Sequence, residues 1–216
     1  SQLVGSSGHV LGADISDTLL QLARSKYSKI DNLEFNLCDA QSHKFQSNSF
    51  DRIISRFGVM FFNDPVAAFK NMRLSLKADG SLNFVCWTEI MQNEFIIDGA
   101  EIITKHTQVN LPPVTREPGP FALSEKSYVE EILTASGFKN IKIDTVHTTI
   151  STKDSLQQAA HILMNIGPRA KMLSGTDVSD ETMLQIKNEI EELCKSRQNG
   201  NEITHKACLN YVSALR

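Results

Sequence analysis

The sequence has no cysteine pair at CxxC spacing, no HxH or HxxxH pair and no GxSxG. The first two absences remove the usual zinc and thiol-redox motifs, and the third removes the nucleophile elbow of the serine hydrolases. No metal is therefore expected. The four cysteines, Cys38, Cys86, Cys194 and Cys208, lie far apart, and two of them, Cys38 and Cys86, sit in apolar, strand-like contexts. They read as buried free thiols of a protein kept in a reducing, cytoplasmic compartment. There is no block of Lys and Arg, and the net charge is −3, so nothing electrostatic recommends a nucleic-acid partner. No apolar run approaches the roughly 20 residues of a membrane-spanning helix. Tryptophan occurs once, at Trp87, and internal repeats and low-complexity tracts are absent.

What remains is ordinary for a globular protein: 216 residues, 41% hydrophobic and 22% charged. That length suits one domain with a sizeable core. His9 to Ala13 reads as a strand that stops at an acid, Asp14. Ser16 or Asp17 can cap a helix whose apolar face is Leu19, Leu20, Leu22 and Ala23. Asn32 to Leu37 is a strand ending at Cys38-Asp39-Ala40. Phe50 to Ser55 is a further strand, with Ile53 and Ile54 suited to burial on both faces, and Ser55-Arg56-Phe57-Gly58 ends it. Asp64-Pro65 opens a helix that stops at Ala78-Asp79-Gly80, and Ser81 to Trp87 is a strand. Four of the six prolines fall in Val109 to Pro120, which must be extended loop. Ser124 caps a helix to Ala135, and Phe138 to Ile150 is a strand. Two helical stretches follow, near Lys153 to Leu173 and Ser179 to Ser196, before a last strand, Lys206 to Leu215.

Alternating helices and strands argue an α/β, doubly wound and mostly parallel sheet. In such sheets ligands bind beyond the carboxyl ends of the strands. Asp14 suits that role, because a carboxylate at a strand end can accept both hydroxyls of a ribose; it would equally serve a helix turn. Asp39 is either a second ligand contact or a turn former.

The order strand-Asp, CDA, FD-strand-SRFG, ADG-strand-W and SGF-strand resembles the class I S-adenosylmethionine-dependent methyltransferases. The resemblance is strongest to the small-molecule enzymes related to ubiquinone and menaquinone biosynthesis. It covers nearly the whole chain and implies a seven-strand-type sheet with an antiparallel last strand. It implies S-adenosylmethionine as cofactor, with Asp14 on the ribose, Ile15 against the adenine and Asp39 and Ala40 on the adenine edge. Ser55, Arg56 and Phe57 would lie near the methionine part, and Met60 and Trp87 would wall the substrate side. Residues 88–120 and 153–196 would be insertions covering the ligand crevice, the first of them mobile.

The resemblance also implies that the central first strand and its glycine-rich loop lie upstream of Ser1. The sequence is then expected to begin inside the natural protein, or a partner chain supplies that strand. The chain as written is not expected to be a competent methyltransferase by itself. No catalytic base stands out: Glu94, His106 and His161 are candidates only because they lie in or near the insertions. The partner expected is a small-molecule substrate, with a homodimer open. Two other readings stay open, a non-catalytic binding protein that keeps the fold and an NAD(P)-dependent oxidoreductase on a related sheet.

Overall fold

A computed structural model describes residues 1–216. Seven strands form two sheets. The smaller holds β1 (Val10–Asp14) and β2 (Leu33–Leu37), paired in parallel. The larger holds β3 (Phe50–Arg56), β4 (Leu76–Trp87), β7 (Glu202–Leu215) and β5 (Lys139–Thr152), in that order, with the two-residue β6 (Gln198–Asn199) hairpinned onto β7. β3 and β4 are parallel, whereas β7 runs antiparallel to both β4 and β5. The expected antiparallel last strand is therefore present. The sheet is divided between β1 and β3, where the resemblance places the first strand.

The helix starts follow local capping chemistry. The hydroxyl of Ser16 accepts from Leu19 N–H and opens α1 (Asp17–Tyr27). The Asp64 carboxylate accepts from Ala67 N–H and opens α2 (Pro65–Ser75), with Pro65 in the first turn, where its absent N–H costs nothing. Ser155 and Gln158 form a reciprocal capping box at α6 (Leu156–Asn165), and Ser179 caps α8 (Asp180–Ser196). Ser124 does not cap α5 (Lys126–Ala135). It is buried, and its carbonyl accepts from Asn210 Nδ2 instead.

Two expectations about burial fail for one reason. β3 is covered on one face only: Ile53 packs on the core, but Ile54 is 79% exposed. On α1 only Leu20 is buried, while Leu19 and Leu22 are 58% and 66% exposed. Alternation and helical spacing identify apolar faces, but Ile54 and Leu19 line an open cavity instead of packing in a core.

There are two cores. The main one joins α2 and α5 to the sheet through Phe69, Met72, Leu82, Phe84, Ile132, Leu133 and Val212. Within it, burial pushes the Cys86 thiol up to about 12. The second core is helical. The stretch Asn93 to His106 breaks at Asp98-Gly99 into α3 (Glu94–Ile97) and α4 (Ala100–Thr107), and Gly167-Pro168 separates α6 from α7 (Gly167–Ser174). Ile103, Ala160, Leu163, Met172, Ile186 and Ile190 then pack together. Residues 88–120 and 153–196, distant in sequence, thus share one helical layer.

A buried ionic cluster fastens this layer to the sheet. Arg197 makes a two-pronged pair with Asp98 at 2.9 and 3.0 Å, and His205 Nδ1 lies 2.8 Å from Asp98 Oδ2. Arg169, fully buried, donates to the carbonyls of Phe95, Ile96, Asp98 and Leu163, and burial draws its pKa down to about 10. Burial by itself would raise the Asp98 pKa, but the hydrogen bonds from His205 and Arg197 outweigh it and hold the carboxyl below its ordinary value. A depressed carboxylate stabilises the fold above its unfolded pKa of about 3.9, and that stability is lost as pH falls through the lower folded value. No helix in the chain is long and apolar enough to cross a membrane.

Asp98→Ala leaves two basic groups facing a vacated buried position. It is expected to lower stability by about 3–5 kcal/mol, as for other broken buried pairs. Urea titration at neutral pH measures it; a loss within ~1 kcal/mol would mean that solvent screens the cluster. The wild-type protein should lose its advantage over the variant as pH drops below about 4.

Candidate functional site

The open edges of β1 and β3 flank a cavity of about 570 Å³. Its floor and walls are mostly apolar and include Leu11, Ala13, Phe50, Ile53, Phe62 and Met72. Most of its polar groups lie at one end, where β1, β2 and β3 finish; Arg52 and Ser75 are elsewhere in the lining. All seven residues expected to contact a cofactor line it: Asp14, Ile15, Asp39, Ala40, Ser55, Arg56 and Phe57. Three separate strand ends bring them together.

Asp14 closes β1. Its Oδ1 accepts from Ser16 N–H at 2.8 Å, which fixes the carboxylate just before α1, and Oδ2 makes no hydrogen bond. One oxygen therefore serves the turn and the other is open to the cavity. Asp39 is more occupied: Oδ1 accepts from Gln41 N–H and Oδ2 from Ser42 Oγ, both at 2.9 Å. The side chain does act as a turn former, and the lone pairs left over are its remaining capacity. The adjacent Ala40 N–H has no partner, while its carbonyl accepts from Asn71 Nδ2 at 2.8 Å. Asn71 also donates to the His43 carbonyl, so α2 braces the loop after β2. Nothing in the sequence marks Asn71 for this, because a single polar residue on an amphipathic helix reads as its solvent side.

At the end of β3, Ser55 Oγ accepts from Gly58 N–H at 3.3 Å, and Arg56 is exposed with no acidic partner. Phe57 is in the left-handed region, at φ 60°. The other non-glycine residues with positive φ are Asn48, Gln108 and Asn140, all polar carboxamides. Asn tolerates this region by bonding its own backbone, whereas a bulky aromatic does not. Phe57 is held there by two contacts. Its N–H donates to the Val85 carbonyl at 3.1 Å, and its ring stacks on Trp87 with centroids 4.6 Å apart and planes 18° apart. Strain of this kind persists where surrounding structure over-determines it, and it gathers at ligand sites.

Met60 and Trp87, expected on the substrate side, are both buried in the main core, and neither lines the cavity. Trp87 supports Phe57 from behind. Phe61 is half exposed at the rim. None of Glu94, His106 and His161 reaches the cavity. Glu94 is tied to Arg197 and Lys206, His106 pairs with Glu189 at 2.8 Å, and His161 pairs with Asn165. No residue of 88–120 or 153–196 lines it either. Those segments instead border a smaller cavity of about 280 Å³, between the proline-rich loop and the start of α7, where Pro112, Pro118, Phe121, Gly167 and Lys171 meet. A main-chain bond from Gly119 N–H to the Met60 carbonyl joins the two regions.

Residues 1–84 match the family model described as "Methyltransferase domain". Among curated proteins, a demethylmenaquinone methyltransferase of Staphylococcus epidermidis is 35% identical over 80 residues, which is 37% of this chain and 33% of that protein. The chain thus spans about a third of the length of this curated relative. Among solved structures, the YcgJ protein of a Bacillus species superposes with a TM-score of 0.57 at 17% identity, covering 96% of this chain and 82% of the other. Phosphoethanolamine N-methyltransferase 2 of Haemonchus contortus, solved with phosphomonomethylethanolamine and S-adenosylhomocysteine, superposes at 0.53 and 19% identity, covering 96% of this chain and 43% of the other.

Because Trp87 is the only tryptophan, its fluorescence reports on the Phe57 stack. Phe57→Ala is expected to shift its emission to longer wavelength and to abolish any spectral response to ligands of the large cavity. An unchanged spectrum would separate the stack from the site. Residues 1–84 are thus similar to a methyltransferase domain, and the chain as a whole shares the α/β fold of these solved structures.

Proposed function

We propose that the protein is an S-adenosylmethionine-dependent methyltransferase acting on a small-molecule acceptor. The observation that carries this reading is the convergence of Asp14, Asp39-Ala40 and Ser55-Arg56-Phe57, from three strand ends, on one apolar cavity. The residues present fit the nucleoside half of the cofactor. The free Oδ2 of Asp14 suits vicinal ribose hydroxyls, the unpartnered Ala40 N–H suits an acceptor nitrogen of a purine, and Ile15 supplies an apolar surface beside it. When bound, the cofactor supplies a methyl group on a sulfonium, with a neutral thioether as leaving group.

The chain's own contribution is position and desolvation. Phe57, Phe61 and Phe62 exclude water at the strand ends, and the stack on Trp87 fixes the direction that Phe57 presents. The only carboxylates in the cavity are Asp14, whose free oxygen is taken by the ribose in this reading, and Asp39, both of whose oxygens are engaged in its turn. The acceptor is therefore one that reacts without a dedicated base, or one that a neighbouring group on the substrate activates. The similarity to a demethylmenaquinone methyltransferase supports an apolar ring acceptor.

One feature favours a second reading, a binding protein that keeps the fold: no titratable base faces the cavity from the helical layer. Native mass spectrometry of the intact protein discriminates the readings. Retained S-adenosylmethionine or its demethylated product supports the first, and a bound nicotinamide dinucleotide would overturn it. Calorimetric titration tests the ribose role. Asp14→Ala is expected to weaken S-adenosylmethionine binding by about 1.5–3 kcal/mol, roughly ten-fold or more. Unchanged affinity would remove Asp14 from the site.

A further inference from the structure

β5 is the outer strand of the larger sheet, fourteen residues long, and only its β7 side is paired. Edge strands of this length normally carry devices that prevent pairing: proline, a central charge, or a bulge. Thr145 to Thr152 carries none of them. Its sequence, TVHTTIST, holds no Pro, Gly, Lys, Arg, Asp or Glu, and six of its eight residues are β-branched. The one irregularity against β7 lies between Lys139 and Lys142, outside this stretch. Thr145 to Thr149 are exposed, including Val146, and no main-chain group of β5 from Asp144 to Thr152 bonds to anything beyond β7.

We propose that this edge pairs with the same edge of a second copy, antiparallel, about a two-fold axis at Thr148. The register follows from complementarity of the strand with itself. Centred on Thr148, residue i faces residue 296 − i. Val146 then meets the partner's Ile150 and Asp144 meets the partner's Thr152, while Lys142 faces the partner's Asp154 just beyond each end. Lys142 has no acidic partner within its own chain, so the pairing supplies one. Sums of 295 and 297 oppose residues whose side chains and outward main-chain groups point to opposite sides, which a regular antiparallel pair does not allow. Moving the sum by two to 298 sets Asp144 against the partner's Asp154, and like charges directly opposite disfavour that register. Nine residues of each copy, 144–152, oppose one another and form about eight to ten main-chain hydrogen bonds. The result is one continuous sheet running from β3 of one copy to β3 of the other, with both large cavities at its far ends.

A symmetric cysteine tests the axis. Residues directly opposite in an antiparallel pair have Cα atoms about 4.5–5.5 Å apart, within disulfide range. Thr148→Cys is therefore expected to form a covalent dimer under mild oxidation, reversed by reductant. Val146→Cys should not, because the two copies of that position lie about 13 Å apart along the strands. Light scattering after gel filtration should give a dimer for wild type and a monomer for the Val146→Lys and Thr148→Lys variants. Circular dichroism should be unchanged in both variants. A wild-type monomer, association that Val146→Lys leaves intact, or a Thr148→Cys protein that stays uncrosslinked would each overturn the proposal. None of these outcomes depends on methyl transfer.

Discussion

Everything in the larger half of the molecule depends on β7 being hydrogen-bonded on both sides. It inserts antiparallel between β4 and β5, pairing from Ile203 through Leu215 with one neighbour or the other. A strand in that position must satisfy main-chain groups in two directions, and it must bring apolar side chains to whatever covers the sheet. Val212 and Ala214 do so beneath α2 and α5, and Ile203 does so in the helical layer. The start of the same strand carries His205 to Asp98, so the ionic cluster and the sheet register are set by one segment. Loss of pairing at β7 would release β5, the hairpin at β6 and the helical layer together.

Local chemistry made much of this legible in advance. Helix starts at Ser16, Asp64 and Ser179 follow from side-chain acceptors placed before apolar spacing, and strand ends follow from acids and glycine after β-branched runs. The cavity residues were legible for the same reason, since strand ends in a parallel sheet share one side of it. Burial was not legible on the apolar faces that line the open cavity. Ile54 and Leu19 look like core residues and stand in solvent. The function of isolated polar residues was also hidden. Asp98, Arg169, Arg197 and His205 are separated by up to 107 positions, and no spacing rule connects them. Only the tertiary fold reveals that Arg197 and His205 meet the Asp98 carboxylate and that Arg169 ties down main-chain carbonyls beside it, and Asn71 belongs to the same class.

The two cavities divide the labour that the sequence had assigned to one. Segments 88–120 and 153–196 pack as a unit, yet they border the smaller space and leave the larger one to strand ends and α1. The Gly119–Met60 main-chain bond is one contact between them, and it lies one short turn beyond Phe57. That bond ties the proline-rich loop to the 3-10 turn Val59–Phe61, whose last residue sits at the cavity rim.

Phe57 is where these constraints meet. A phenylalanine at φ 60° costs on the order of 1–3 kcal/mol, which a surface loop with other options would not retain. The stack on Trp87 and the bond to Val85 return a comparable amount, since an aromatic pair contributes about 0.5–1.5 kcal/mol beyond its buried area and a main-chain hydrogen bond about as much. The balance is near even, so the conformation holds only while Trp87 stays seated in the main core. In that arrangement the β3 backbone turns sharply, Ser55 and Arg56 are directed to the strand ends, and an aromatic wall stands beside them. A glycine would make the same turn without strain. It would also leave the cavity without that wall and Trp87 without its cover.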